Sequence, residues 1–250
     1  MRRIIVAICM FLTLALGARV EAQYNRNYIY WMGQQKMVNN NYHEAIEILN
    51  VLLRHDAKDF DAYFLRGIAK YNMDDLLGAD ADFSEAVKLN PVFTGAFYYR
   101  AITRSRLGNY DDALNDFEQA IDLRPGYMGL YFSRGVTYFL SQQFDKAVAD
   151  FNRFIKAEPK IADAYLNRGA CYLYLKDTVK ALSDYNKAIK LDRFDPEGYV
   201  RRGRVYADQK KYDLAIADMD KAIELDTTNT FAYFNRAIMH YEQENYRKAM

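Results

Sequence analysis

Apolar and polar residues alternate along the chain at helical spacing, in blocks that recur every 34 residues. In the third period, apolar or small residues keep the spacing of one helix face over 94–107 and again over 110–123. Gly108-Asn109 separates the two blocks, and Arg124-Pro125-Gly126 ends the second. Each period is therefore predicted to form two helices joined by a short turn, so the predicted fold class is all-α.

Two columns of small residues mark the repeat. The first, called the small column below, is Gly33, Gly67, Ala101, Gly135, Gly169, Gly203 and Ala237. The second is alanine throughout: Ala45, Ala79, Ala113, Ala147, Ala181, Ala215 and Ala249. Small residues let two helix backbones approach while large side chains fill the space around the contact, so these columns predict tightly packed helix pairs. One pair cannot bury its apolar face alone, and neighbouring pairs must stack.

The pattern resembles the tetratricopeptide repeat. The resemblance is carried by both small columns, by the large, mostly aromatic columns beside them, by Tyr138, Tyr172 and Tyr206, and by the closing prolines Pro91, Pro125 and Pro159. It covers residues 23–250 as about six and a half repeats, the last incomplete, and implies a right-handed superhelical solenoid of antiparallel helix pairs.

A charged pair of columns departs from that family's usual pattern. An arginine precedes the small column at Arg66, Arg100, Arg134, Arg168, Arg202 and Arg236, and an aspartate follows it by fifteen residues at Asp82, Asp116, Asp150, Asp184 and Asp218. The first period has Met32 and Ile48 at these two places instead. Because the columns change together from an apolar to a charged pair, we expect arginine–carboxylate contacts between first and second helices, within a repeat or between neighbours.

The first 22 residues have the pattern of a secretory signal peptide. Arg2-Arg3 precedes an apolar run over 4–18, and Val20-Glu21-Ala22 fits cleavage before Gln23. An uncleaved membrane anchor is the alternative, which the small residues at the end disfavour. We therefore expect export to a periplasm or cell envelope, and further sequence after Met250 because no polar capping helix closes the last repeat.

Composition excludes several classes. Hydrophobic residues make up 51% of the chain and the formal net charge is +1, so disorder is excluded and nucleic acid is not an expected partner. His43, His55 and His240 have no metal-ligand spacing and are expected at the surface, and Cys171 is predicted to be a buried thiol. We expect no enzyme activity, no cofactor and no metal.

Two polar clusters are interpreted as solvated helix surfaces. One consists of Asp74, Asp75, Asp80 and Asp82. The other consists of Arg201, Arg202, Arg204, Lys210 and Lys211, for which an anion or acidic-peptide site is the alternative.

The resemblance implies that the first helices form a concave wall that holds a segment of another protein. The residues that would face this segment lie three positions before the small column, and one, four and five positions after it. The predicted groove residues are Tyr30, Phe64, Ile68, Tyr71, Tyr98, Ile102, Phe132, Val136, Phe139, Leu140, Leu173, Tyr174 and Arg204. The Lys and Asn residues with which one chaperone-binding subclass holds a terminal carboxylate are absent from these positions, which are mostly apolar. Some of these side chains could instead pack against adjacent repeats, above all those three before the small column.

The first functional hypothesis is an exported scaffold or assembly factor that binds an apolar or amphipathic segment of a partner protein. A membrane-associated complex is one possible partner. The second is the extracytoplasmic input domain of a sensor or regulator with further modules after Met250. An enzyme remains only if a catalytic domain follows Met250, and the sequence beyond that residue would separate the three.

Overall fold

A computed structural model describes residues 25–243, which form thirteen α-helices. They are α1 (Arg26–Val38), α2 (Tyr42–His55), α3 (Phe60–Asn72), α4 (Leu76–Leu89), α5 (Thr94–Arg106), α6 (Tyr110–Leu123), α7 (Met128–Leu140), α8 (Phe144–Ala157), α9 (Ala162–Tyr174), α10 (Thr178–Leu191), α11 (Pro196–Asp208), α12 (Tyr212–Leu225) and α13 (Thr230–Glu242). The helices predicted over 94–107 and 110–123 are confirmed, except that Leu107 is the cap of α5 rather than its last residue.

The 34-residue period is built from two helices, the turn between them and the connection to the next repeat. A first helix of 13 residues, such as α3, is followed by a turn, and a second helix of 14 residues, such as α4, completes the pair. Each turn contains one residue with positive φ: Asn40, Asp74, Gly108, Gln142, Lys176 and Lys210. Polar side chains cap several helix starts, as where Asp59 accepts a hydrogen bond from the Ala62 N–H and Asp177 one from the Lys180 N–H.

The helices group into two compact units, Met1–Gln119 and Ala120–Met250. In the first unit, each of the helices α1 to α4 packs against the helix that follows it in the chain. In the second unit, each of the helices α7 to α12 also packs against the helix that follows it. Each unit is therefore a stack of helix pairs, which confirms the all-α solenoid class.

The small column packs directly against a large side chain of the second helix. A Cβ atom added at Gly67 would lie 2.6 Å from Phe83, and one at Gly169 would lie 2.7 Å from Tyr185. Both rings are fully buried. Glycine is therefore required at these two positions by the close approach of the ring.

The arginine column pairs with the aspartate column of the same repeat. Nε and Nη2 of each arginine donate to the two oxygens of one carboxylate at 2.6–2.9 Å, in the pairs Arg66–Asp82, Arg100–Asp116, Arg134–Asp150, Arg168–Asp184 and Arg202–Asp218. All five aspartates are buried. The expected arginine–carboxylate contacts are confirmed, and they join the two helices of one repeat.

The interpretation of the acidic cluster as solvated is wrong for two of its members. Asp82 is buried because Arg66 and Lys70 both bind its carboxylate. Asp80 accepts a hydrogen bond from Arg104 at 2.7 Å. Asp74 and Asp75 are exposed as expected.

The predicted signal peptide and Ala249 lie outside the described residues. Within 25–243, no helix is both long enough and apolar enough to cross a bilayer.

Candidate functional site

The predicted groove residues of the first unit lie on α1, α3 and α5 and are all half-buried: Tyr30, Phe64, Ile68, Tyr71, Tyr98 and Ile102. The Phe64 ring makes edge contacts with Phe93 and Tyr99, at centroid distances of 4.7 and 5.6 Å. Tyr98 packs on the buried Phe117 at 6.3 Å. In this unit, the aromatic side chains three before the small column therefore contribute to packing, Tyr98 within its own repeat and Phe64 against the next one.

In the second unit, Phe132 also packs inside the structure, whereas residues at the end of the first helices are exposed. Phe132 packs on Phe151 and Phe154, with ring centroids 5.7 and 5.1 Å apart. Leu140 is 46% exposed and Tyr174 is 60% exposed. Val136, Phe139 and Leu173 are half-buried, and Arg204 is exposed.

The rings of Phe139, Phe144 and Tyr174 contact one another and form an aromatic platform in the second unit. Tyr174 stacks on Phe144 with centroids 4.5 Å apart and planes at 9°. Phe139 meets both rings edge-on, at 5.4 Å from Tyr174 and 5.7 Å from Phe144. These contacts fix the ring of Tyr174 although more than half of its surface is exposed, so it presents a rigid aromatic face to solvent.

A cavity of about 710 Å³ lies beside this platform. Its lining comes from α7 and α9 to α11 and from the chain around the start of α13: Phe139, Ala170, Leu173, Tyr174, Lys176, Tyr185, Glu197, Val200, Arg201, Arg204, Asp208, Asn229 and Phe231. Four of these are predicted groove residues, namely Phe139, Leu173, Tyr174 and Arg204. The volume lies in the range of small-molecule and peptide side-chain pockets.

The cavity is present where the first helices carry smaller residues than elsewhere. Three before the small column, the aromatic residues of the earlier repeats give way to Leu166 and Val200, which are both buried. One residue after the small column, Ala170 stands where the preceding repeat has Val136. Of these smaller residues, Ala170 and Val200 line the cavity.

The polar part of the lining carries both charges. Arg201 Nε donates to Glu197 Oε1 at 2.6 Å, one helical turn away on α11. The Arg204 guanidinium lies 5.6 Å from the centre of the Phe231 ring. Burial raises the pKa of Tyr185 to about 12, and the nearby charges of Arg201 and Arg204 act in the opposite direction.

The interpretation of the basic cluster as a solvated surface is wrong for two of its five members. Arg202 is bound to the buried Asp218, and Arg201 is half-buried and bound to Glu197. Arg204 is exposed as expected, although it lines the cavity together with Arg201. Lys210 and Lys211 are exposed, as expected. The sequence missed this because helical spacing alone did not show which arginines face the second helix and which face the cavity.

Cys171 is fully buried, as predicted, and burial raises the pKa of its thiol to about 12. His43 and His55 are exposed. His240 is half-buried with Nδ1 shielded from solvent, so the expectation of a surface histidine is wrong there. Between residues 25 and 243, no three histidine, cysteine or carboxylate side chains come together as a metal site.

The stacked helix pairs, with glycine against aromatic rings and a lined cavity between first helices, define a helical-repeat scaffold of the kind used for binding other proteins. Sequence models of the tetratricopeptide repeat match residues 95–127, 129–161, 162–195 and 196–229, more than half of the chain. The chain belongs to the tetratricopeptide-repeat family. That repeat is an interaction fold rather than a catalytic one.

Solved structures show the same fold at low sequence identity. The C-terminal part of a TPR repeat-containing protein from Cytophaga hutchinsonii is 23% identical, with a TM-score of 0.70 over 88% of this chain and 91% of that one. A tetratricopeptide repeat protein from Parabacteroides merdae is 20% identical, with a TM-score of 0.66 over 95% and 90%. YrrB, described as a TPR protein with an unusual peptide-binding site, is 18% identical, with a TM-score of 0.60 over 78% and 97%. None of the curated sequences compared with the chain is a significant match.

Proposed function

We propose that the chain is an exported scaffold that holds an apolar or amphipathic segment of a partner protein against the first helices of its repeats. The observation that carries the proposal is the exposed apolar surface of Tyr174, which lines the cavity of the second unit, and of Leu140, which follows the lining residue Phe139. Apolar side chains held rigidly at the rim of a cavity are typical of a binding surface, because leaving them in water is unfavourable.

The family supports the same interpretation. Tetratricopeptide repeats bind other proteins, and the related fold of YrrB carries a peptide-binding site. In this chain most residues three before the small column pack within or between repeats, with the exposed Phe234 as an exception, so recognition falls to the residues four and five after it. Phe139, Leu140, Leu173 and Tyr174 hold these places in two successive repeats.

The site of action rests on the predicted signal peptide. Residues 1–22 predict export, and a scaffold in a periplasm or cell envelope would meet partners that include membrane-associated complexes. Sequencing of the exported protein should show Gln23 as its first residue. Recovery of the full-length chain in the membrane fraction would contradict export with cleavage.

Site-specific photocrosslinking tests the binding surface itself. A benzophenone side chain placed at Tyr174 should crosslink to one short segment of another protein when the chain is expressed in its own cells. The matched control is Val179, which is 79% exposed at the start of the second helix α10 and does not line the cavity. Crosslinks from Val179 with none from Tyr174 would place recognition on the opposite face of the repeats.

A further inference from the structure

The cavity of the second unit combines three departures from the repeat pattern. The second-helix column that faces the small column reads Leu49, Phe83, Phe117, Phe151, Tyr185 and Met219, so Tyr185 alone carries a hydroxyl. One residue after the small column, the chain has Gln34, Ile68, Ile102, Val136, Ala170, Arg204 and Ile238, so Arg204 is the one cation. Two residues before the small column, Arg201 is likewise the one cation among Trp31, Leu65, Tyr99, Ser133, Asn167, Arg201 and Asn235.

All three departures line the same cavity. The repeat itself does not require them, because neighbouring repeats fold with apolar or neutral residues at these places. Tyr185 is 1% exposed, so its hydroxyl is a polar group placed within a packed column that elsewhere holds apolar side chains. A buried hydroxyl needs a polar partner, which the cations beside it supply.

The charges of the lining are not balanced. Glu197 is paired with Arg201. Lys176 and Arg204 have no ion-pair partner anywhere in 25–243, and Asp208 is the one other carboxylate of the lining. Three cations therefore face two anions. The lining favours an anionic group on whatever fills the cavity.

We propose that this cavity binds the partner segment through a carboxylate side chain that contacts Arg204 and Lys176, next to an aromatic side chain that packs on Tyr174 and Phe139. The proposal rests on the proposed function and specifies its ligand as an acidic–aromatic peptide segment. Arg204 and Lys176, together with the Tyr185 hydroxyl, supply charge-assisted hydrogen bonds to the carboxylate, and the aromatic platform supplies the apolar contact. A peptide is favoured over a small acid because the exposed rim residues Leu140 and Tyr174 extend the apolar surface beyond a single side chain.

Selection of random displayed peptides on the full chain tests the proposal. We expect the enriched peptides to carry Asp or Glu within two positions of Phe, Tyr or Trp. The best peptide should lose about tenfold in affinity when its acid is replaced by the matching amide, as expected for a hydrogen bond to a charged group.

Variants of the chain locate the contact. Arg204→Glu should weaken binding of the selected peptide by tenfold or more, and Tyr185→Phe by about threefold, because phenylalanine keeps the packing and removes only the hydroxyl. Lys160→Glu makes a matched charge change at an exposed turn outside the cavity and should leave the affinity unchanged.

The outcomes separate this inference from the function on which it rests. Peptides that are apolar without an acid, and that bind Arg204→Glu as well as the natural chain, would overturn the inference and leave the scaffold function standing. Binding of free phenylacetate that depends on Arg204, with no peptide enriched, would overturn the peptide as occupant. Enrichment of neither peptide nor acid would overturn both proposals.

Discussion

Arg168 binds the carboxylate of Asp184 with two parallel hydrogen bonds, from Nε at 2.8 Å and from Nη2 at 2.6 Å. Its remaining nitrogen Nη1 donates to Asn152 of the preceding repeat at 2.6 Å. The bonds to Asp184 raise the pKa of the Arg168 guanidinium, although partial burial acts in the opposite direction. One side chain thus joins the two helices of its repeat and also links that repeat to its neighbour.

Replacing only Arg168 should lower the free energy of unfolding more than replacing both Arg168 and Asp184. Arg168→Met leaves the buried carboxylate of Asp184 unpaired and should lower the free energy of unfolding by about 3 kcal/mol. Arg168→Met with Asp184→Ile reproduces the Met32 and Ile48 of the first repeat and should recover most of that loss. Urea unfolding of the two single variants and the double variant measures the coupling.

An arginine–aspartate pair between neighbouring repeats provides the control. Arg236 Nη1 lies 2.6 Å from the carboxylate of Asp220 on α12, whose side chain is more than half exposed, whereas Asp184 is buried. Arg236→Met should therefore cost less than about 1 kcal/mol. Strict additivity of the Arg168 and Asp184 substitutions would contradict the account of the buried pairs.

The contact between Gly169 and Tyr185 predicts a steric defect with a specific rescue. Gly169→Ala places a Cβ atom 2.7 Å from the ring and should cost about 2 kcal/mol of unfolding free energy. Tyr185→Leu in the same chain should restore part of it, because Leu49 leaves 3.3 Å for a Cβ at Gly33. Gly126→Ala meets nothing within 4 Å and should change stability little.

Turn residues with positive φ offer stabilising substitutions. Gln142 has φ 61°, a conformation that glycine adopts without steric strain. Gln142→Gly should raise the unfolding free energy by about 0.5–1 kcal/mol, and Gly108→Ala at φ 82° should lower it by a similar amount. A thermal melt of each variant tests this. A lower melting temperature for Gln142→Gly, or a higher one for Gly108→Ala, would contradict the account of the turns.

Much of the fold could be predicted from the sequence because the same spacing of small and large residues recurs in seven periods. The pairing of Arg66 with Asp82 was visible because both columns change together in the first period. The cavity was not visible, because Tyr185, Arg201 and Phe231 come from three different helices and meet only once the pairs are stacked. The role of Phe132 was also hidden, because spacing did not show that its ring lies against Phe151 and Phe154.

Alkaline pH should destabilise the second unit. Burial raises the pKa of the Cys171 thiol from 9.0 to about 12 and that of Tyr185 from 10.0 to about 12. The unfolded chain therefore loses these protons first, and the stability present below pH 9 falls as the pH rises toward 12. Cys171→Ala should reduce the slope of melting temperature against pH between about 9 and 12. An unchanged slope would show that the thiol titrates normally in the folded chain.

The central claim is that the first helices hold the partner segment. It is tested most directly by the affinity of the crosslinked segment for variants of the exposed residues Leu140 and Tyr174. Leu140→Ser with Tyr174→Ser removes apolar surface from the first helices, and Leu77→Ser with Val179→Ser removes exposed apolar surface from second helices. If the first helices hold the partner, the first variant should lose about thirtyfold or more in affinity and the second should bind as the natural chain does, with both still cooperatively folded. Equal affinity of the two variants would contradict the account.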